Sequence, residues 1–262
     1  MKRLFYSLII LFLFVQTIFA QSYEKMSGLE IMQKMTNQSN WDDMSGVLVM
    51  ELTNKSGDKR IRNMNYYSKQ KTENEYQMLM KFVSPADVKG TAFLSIEQSD
   101  RDDDRYLYLP ALRRVKKITS SGKGGNFMSS DFTYYDIGKP KIKDWKYNRL
   151  TDENIENYDC FVVEAVPATD EIKKDTGYGK TVHWIRKDTF TTYKATYFDR
   201  DGRKWKTLDV PKVEKIKNVW FSTVMIMQDL ETGHTSKMEF QNFKINTGIP
   251  DNNFTIRYLQ RR

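Results

Sequence analysis

Leu107-Tyr-Leu-Pro-Ala-Leu-Arg-Arg-Val-Lys-Lys-Ile118 and, soon after it, Asn126-Phe-Met-Ser-Ser-Asp-Phe-Thr-Tyr-Tyr-Asp136 decide how this chain reads. An aromatic strand runs into a proline turn. A doubly basic strand follows, and then a segment that mixes aromatic rings with carboxylates. Strand residues alternate between two faces, so Arg113, Val115 and Lys117 share one side and Arg114, Lys116 and Ile118 the other.

Period-two alternation continues on both sides of this stretch. Met44, Leu48, Met50 and Leu52 form one set, Tyr76, Met78, Met80 and Phe82 a second, and Ala92, Leu94 and Ile96 a third. Phe161–Val163, Val182–Ile185, Tyr193–Phe198, Val224–Met227 and Met238–Phe240 read as further strands. Turn residues separate them, at Asn54-Lys-Ser-Gly57, Arg200-Asp-Gly-Arg203 and Glu231-Thr-Gly233. About ten strands in simple succession predict one large antiparallel sheet, curled, with its apolar face covered.

One helix is predicted near residues 24 to 37. Ser27 and Glu30 have capping-box spacing, and Leu29, Met32 and Met35 lie on or near one face. Ordinary core packing explains those methionines, although deformable Met surfaces also suit variable apolar ligands. At the other end, Phe254 and Leu259 are the expected anchors of a short terminal element.

Residues 1–20 read as a secretory signal peptide, with Lys2 and Arg3 before an apolar run that ends at Ala20. Residues 21–262 then form a single domain exported to the periplasm. Removing the leader lowers the formal charge from +8 to +6. The surplus suits anionic membrane surfaces or acidic partners, and nucleic acid is a poor partner for an exported chain without a binding motif. The lone Cys160 sits in a strand pattern and is expected in the core.

Catalytic signals are sparse. His183 and His234 lack zinc-site spacing, no Gly-x-Ser-x-Gly elbow is present, and Ser121-Gly-Lys-Gly-Gly125 departs from a phosphate loop and reads as a flexible one. Asp100-Arg-Asp-Asp-Asp104 lacks EF-hand alternation and reads as a solvated turn. No catalytic residue, metal ligand or cofactor is assigned.

The motifs Phe82-x-x-Pro85, Lys89-Gly-Thr91, Tyr106-Leu-Tyr-Leu-Pro110, Arg113-Arg114 and Phe127-Met-x-x-Asp131-Phe132 through Asp136 resemble the LolA-like outer-membrane lipoprotein-sorting family. The Pro250…Phe254-Thr255…Leu259 tail agrees with it, while Ser129 stands where the family usually has Gly. The resemblance implies a mainly β (α+β) fold: one curved antiparallel sheet forming an incomplete β-barrel, with an N-terminal helix and short lid helices. It also implies a periplasmic carrier of lipoprotein or lipid acyl chains, working beside an inner-membrane exporter of the resistance-nodulation-division type, with transient membrane contact. A buried methylene is worth about 0.8 kcal/mol, so a chain of about sixteen carbons resists water by roughly 12 kcal/mol.

Under that reading Leu48, Met50, Met78, Met80, Phe82, Tyr106 and Tyr108 are candidates for cavity lining. Phe127, Met128, Phe132 and Tyr135 are candidates for a lid or rim, and Arg113 and Arg114 for head-group or partner contact. The alternative for the two arginines is a charged sheet edge, or ion pairing with Asp131 and Asp136. The alternatives for the protein are an envelope adaptor with a filled core that binds only protein, and an extracytoplasmic hydrolase.

Overall fold

The alternating apolar residues assemble into one antiparallel sheet. The computed structural model describes Tyr23 and residues 25–38, 41–72 and 75–261, so the expected signal peptide lies outside the described residues. The strands are β1 (Asp43–Thr53), β2 (Lys59–Thr72), β3 (Glu75–Ser84), β4 (Ala92–Ile96), β5 (Asp104–Leu109), β6 (Arg114–Ile118) and β7 (Trp145–Arg149). They continue with β8 (Glu153–Ile155), β9 (Tyr158–Pro167), β10 (Tyr178–Arg186), β11 (Thr192–Asp199), β12 (Lys204–Ile216), β13 (Val219–Asp229) and β14 (Thr235–Ile245). All 14 lie in one sheet, ordered β6-β5-β4-β3-β2-β1-β14-β13-β12-β11-β10-β9-β7, with β8 paired to β9. The β1–β14 pairing joins the two halves of the chain, and the order ends at β6 and β7 without closing into a barrel.

Strand parity divides the buried side chains between two faces. Leu48, Met50, Met64, Met80, Phe82, Phe93, Leu107, Ala165, Leu208, Met227 and Met238 share one cluster on the concave face. Their sequence neighbours Leu79, Ala92 and Leu94 form another on the convex face, under the C-terminal tail. That tail is a 3-10 turn (Asp251–Phe254) and helix α3 (Ile256–Leu259), after α1 (Gly28–Thr36) and α2 (Asp170–Thr176). Phe254 and Leu259 are buried there, as anchors should be. Asp43 fixes the approach to the tail: its carboxylate accepts from Thr247 N at 2.8 Å, Thr247 Oγ1 at 2.9 Å, Gly248 N at 2.8 Å and Ile249 N at 3.1 Å.

Helix α1 begins later than the predicted residue 24. Its capping box is formed, with Glu30 N donating to Ser27 Oγ at 3.2 Å and Ser27 N donating to Glu30 Oε2 at 2.7 Å. It lays Ile31 and Met32 against Phe161, Val163 and Ile185, at the β9–β10 end of the concave face.

The segment between β6 and β7 crosses the concave face. It carries a 3-10 turn at Phe127–Ser129 rather than a lid helix. The glycine-rich run expected to be a flexible loop is packed instead. Lys123 is buried between Asp102 at 3.7 Å and Asp175 at 3.5 Å. A Cβ on Gly124 would stand 2.8 Å from Asp175 O, a distance that only glycine avoids. The acidic run is a solvated turn at Asp100, Arg101 and Asp102, which are exposed, but not at Asp103. The Asp103 carboxylate is buried and paired with Arg105 at 2.7 Å and Lys141 at 2.7 Å.

Candidate functional site

Between the sheet's concave face and the crossing segment lies an apolar cavity of about 240 Å³. Seven of the chain's 13 methionines line it: Met32 and Met35 from α1, Met78 and Met80 from β3, Met225 and Met227 from β13, and Met238 from β14. Tyr66, Phe132, Tyr135, Trp145, Tyr147, Tyr178, Tyr197 and Phe240 supply the aromatic rings. The thioether chain is unbranched and polarizable, so a Met-rich wall adapts to contents of different shape.

The crossing segment is the cover. Phe127 is fully buried, with ring centroids 5.3 Å from Phe93 and 5.5 Å from Tyr134. Around this apolar plug, a few polar contacts pin the segment to strands far away in sequence. Asp131 Oδ2 accepts from Ser236 Oγ at 2.6 Å and lies 2.7 Å from His234 Nδ1. Lys206 Nζ, fully buried, donates to Asp131 O at 2.7 Å. Tyr178 donates its hydroxyl proton to Asp136 Oδ2 at 2.8 Å, Trp145 Nε1 donates to Tyr135 Oη at 2.6 Å, and Arg62 donates to Met128 O. Burial pushes the Asp136 carboxyl above the usual carboxylate range, against the opposing pull of Lys206. Burial likewise lowers Lys206.

Parity sorts the expected site residues. Met78, Met80, Phe132 and Tyr135 line the cavity. Leu48, Met50, Phe82, Phe127 and Met128 belong to the same concave cluster but do not line the cavity. Tyr106 and Tyr108 are a correction. They face the convex side with Val115, Leu94 and Leu79, and Leu107 between them faces inward. The inward parity of β5 was not legible, because both faces of that strand carry apolar side chains.

Arg113 and Arg114 are exposed beside Leu112, at the edge strand β6. They do not pair with Asp131 and Asp136, whose partners lie inside the fold. Arg113 adopts φ 47° just before the strand begins, so it does not share a strand face with Val115 as alternation implied.

Sequence reasoning missed the wall supplied by the second half of the chain: Tyr147, Ala165, Thr181, His183, Tyr197 and Leu208. His183 Nε2 lies 2.9 Å from Thr181 Oγ1, and burial lowers the imidazole to about 4, so the ring is neutral and structural. Cys160 is buried, and burial raises its thiol to about 11. Among the described residues no group of three or more His, Cys, Asp or Glu side chains is arranged to hold a metal.

A family model described as an uncharacterized protein matches residues 74–261. A crystal structure from Vibrio parahaemolyticus, of a domain named for outer-membrane lipoprotein sorting, is 33% identical with TM-score 0.84 over 89% of this chain and 98% of that one. A DUF1329 family protein from Desulfovibrio piger is 30% identical with TM-score 0.83, over 88% and 97%. A LolA superfamily protein from Nitrosomonas europaea shares the fold at 20% identity and TM-score 0.69, over 89% and 99%. No curated protein matches significantly. The chain belongs to the LolA-like outer-membrane lipoprotein-sorting family.

Proposed function

We propose that this protein is a periplasmic carrier that takes acyl chains of a lipoprotein or lipid into the concave cavity and passes them toward the outer membrane. One observation carries the reading: a methionine-lined cavity sits beneath a cover held by side-chain contacts rather than by strand pairing. Apolar chains bind such a surface through the hydrophobic effect, which is non-directional and needs no catalytic group. The role assigned is therefore binding, with no reaction.

The cavity as it stands falls below the roughly 300–1,000 Å³ of typical ligand pockets. A long acyl chain then enters by displacing Phe132 and Tyr135, whose side chains form its roof. Their displacement adds the space under the plug, where Leu48, Met50 and Phe82 present further apolar surface. Loading and release become one motion, and a partner that binds the opened form drives it. An inner-membrane exporter of the resistance-nodulation-division type fits that part. The exposed Arg113–Arg114 edge supplies charge for an acidic partner or anionic head groups.

The test fills the cavity from within. Ala165 is buried in the cavity wall on β9. Ala165→Phe is expected to weaken binding of a fluorescent fatty acid at least tenfold while the far-ultraviolet circular dichroism is unchanged. Equal affinity in a folded variant overturns the cavity as the binding site.

A further inference from the structure

A second pocket with different chemistry adjoins the acyl cavity. This smaller space, about 180 Å³, is lined by Trp41, by residues of β1, β2, β3 and β13, by the end of β4 and by the strap Ile137–Lys139. Tyr66, Met78, Ile137 and Gly138 line both, so the two spaces share a wall and a chain in the first reaches the second where these side chains part. Ser68, Ser95, Glu97 and Lys139 give the second pocket polar groups that the first lacks.

Ser95 is only 3% exposed, and its Oγ has no hydrogen-bond partner. A buried hydroxyl in that state costs free energy, and native proteins keep few of them. Here it lines a pocket and offers both a donor and an acceptor. Glu97 Oε2 already accepts from Tyr76 N at 3.0 Å. Lys139 Nζ stands 4.7 Å from the centre of the Tyr76 ring, and its charge acts on Glu97. Carboxyl and ammonium offset one another, and burial disfavours the charged form of each, so the pocket offers little net charge to hold a charged head.

We propose that this pocket holds the polar head of the bound amphiphile, and that the head is uncharged and bears hydroxyl or ester oxygens, as an acylglycerol does. The proposal rests on the carrier reading and specifies which amphiphiles the same site prefers. The acyl chain occupies the methionine-lined cavity, and the first polar linkage reaches Ser95. Burial raises the Glu97 carboxyl to about 7, which lets it act as a hydrogen-bond donor as well as an acceptor near neutral pH. A free fatty acid brings an ionised carboxylate into a buried pocket whose Glu97 and Lys139 supply no net opposite charge, and is disfavoured by desolvation.

Binding of 1-monopalmitoylglycerol and of palmitate to the purified protein, by displacement of a bound fluorescent probe, tests this. Wild type is expected to prefer the monoacylglycerol about tenfold, and Ser95→Ala to cut that preference about fivefold, the effect of one hydrogen bond, with palmitate affinity unchanged. The variant should melt no lower, because the hydroxyl it removes has no partner. Should it melt lower, Glu97→Gln reads the same loss of preference at pH 8. Equal affinities that neither variant alters overturn the head pocket and leave the carrier reading standing. A wild type that binds neither lipid overturns both.

Discussion

Asp131 and Ser236 bond each other twice across 105 residues of sequence. Ser236 Oγ donates to Asp131 Oδ2 at 2.6 Å and accepts from Asp131 N at 2.9 Å. This double contact ties the cover of the cavity to β14, the strand that also joins the two halves of the sheet. Asp131→Ala removes the carboxylate half of it, taking the acceptor from the buried Ser236 hydroxyl and the partner from His234, while the backbone half and the Lys206 bond to the Asp131 carbonyl remain. The expected cost is about 2–3 kcal/mol of stability. Amide exchange of residues 126–136 should rise at least tenfold relative to β9–β11. Unchanged protection in that segment contradicts the role of Asp131 as its anchor.

Ser129 adopts φ 60°, the left-handed region where a Cβ is penalised. Ser129→Gly is expected to stabilise the protein by about 0.5–1 kcal/mol, the gain in the turn offset partly by a freer unfolded chain. Chemical denaturation measures it, and a lower midpoint at constant slope contradicts the expectation.

Arg113 and Arg114 are exposed on the edge strand, so reversing both to Glu leaves the core untouched. The double variant should fold with stability within about 0.5 kcal/mol of wild type. Its binding to anionic phospholipid vesicles at low salt should fall several-fold. If melting and binding fall together, the two arginines are structural.

Glu97 gives the stability a definite pH dependence. Burial raises its carboxyl in the folded state from 4.5 to about 7. The native protein therefore holds this proton more tightly than the unfolded chain does. Its contribution is fully present below pH 4.5 and is lost as pH rises through about 7, on the order of 3 kcal/mol in all. Glu97→Gln should flatten that part of the stability curve and raise stability at pH 8. A slope that persists in the variant assigns the effect to another group.

The β-rich architecture was legible because Met44 to Leu52, Tyr76 to Phe82 and Ala92 to Ile96 alternate cleanly. β2 and β12 were not. On β2 the buried concave-face set includes Arg62 and Ser68, and on β12 it includes Lys206, so polarity masks the pattern. β12 also contains Pro211, which sits where the β12–β13 register slips and no ladder N–H is required. The anchors of the cover were hidden for a different reason. Asp131, Lys206, His234 and Ser236 are distant in sequence, and only the fold brings them together. Alternation alone does not say which face turns inward: on β3 Met78 and Met80 line the cavity, whereas on β5 Tyr106 and Tyr108 cover the convex side under the C-terminal tail.

Native mass spectrometry of the protein purified from its own cell envelope tests the carrier account most directly. The account predicts one bound acyl-chain lipid per chain in wild type, absent from folded Ala165→Phe. Wild type that arrives without lipid, and that takes up none when offered monoacylglycerol or phospholipid, contradicts it.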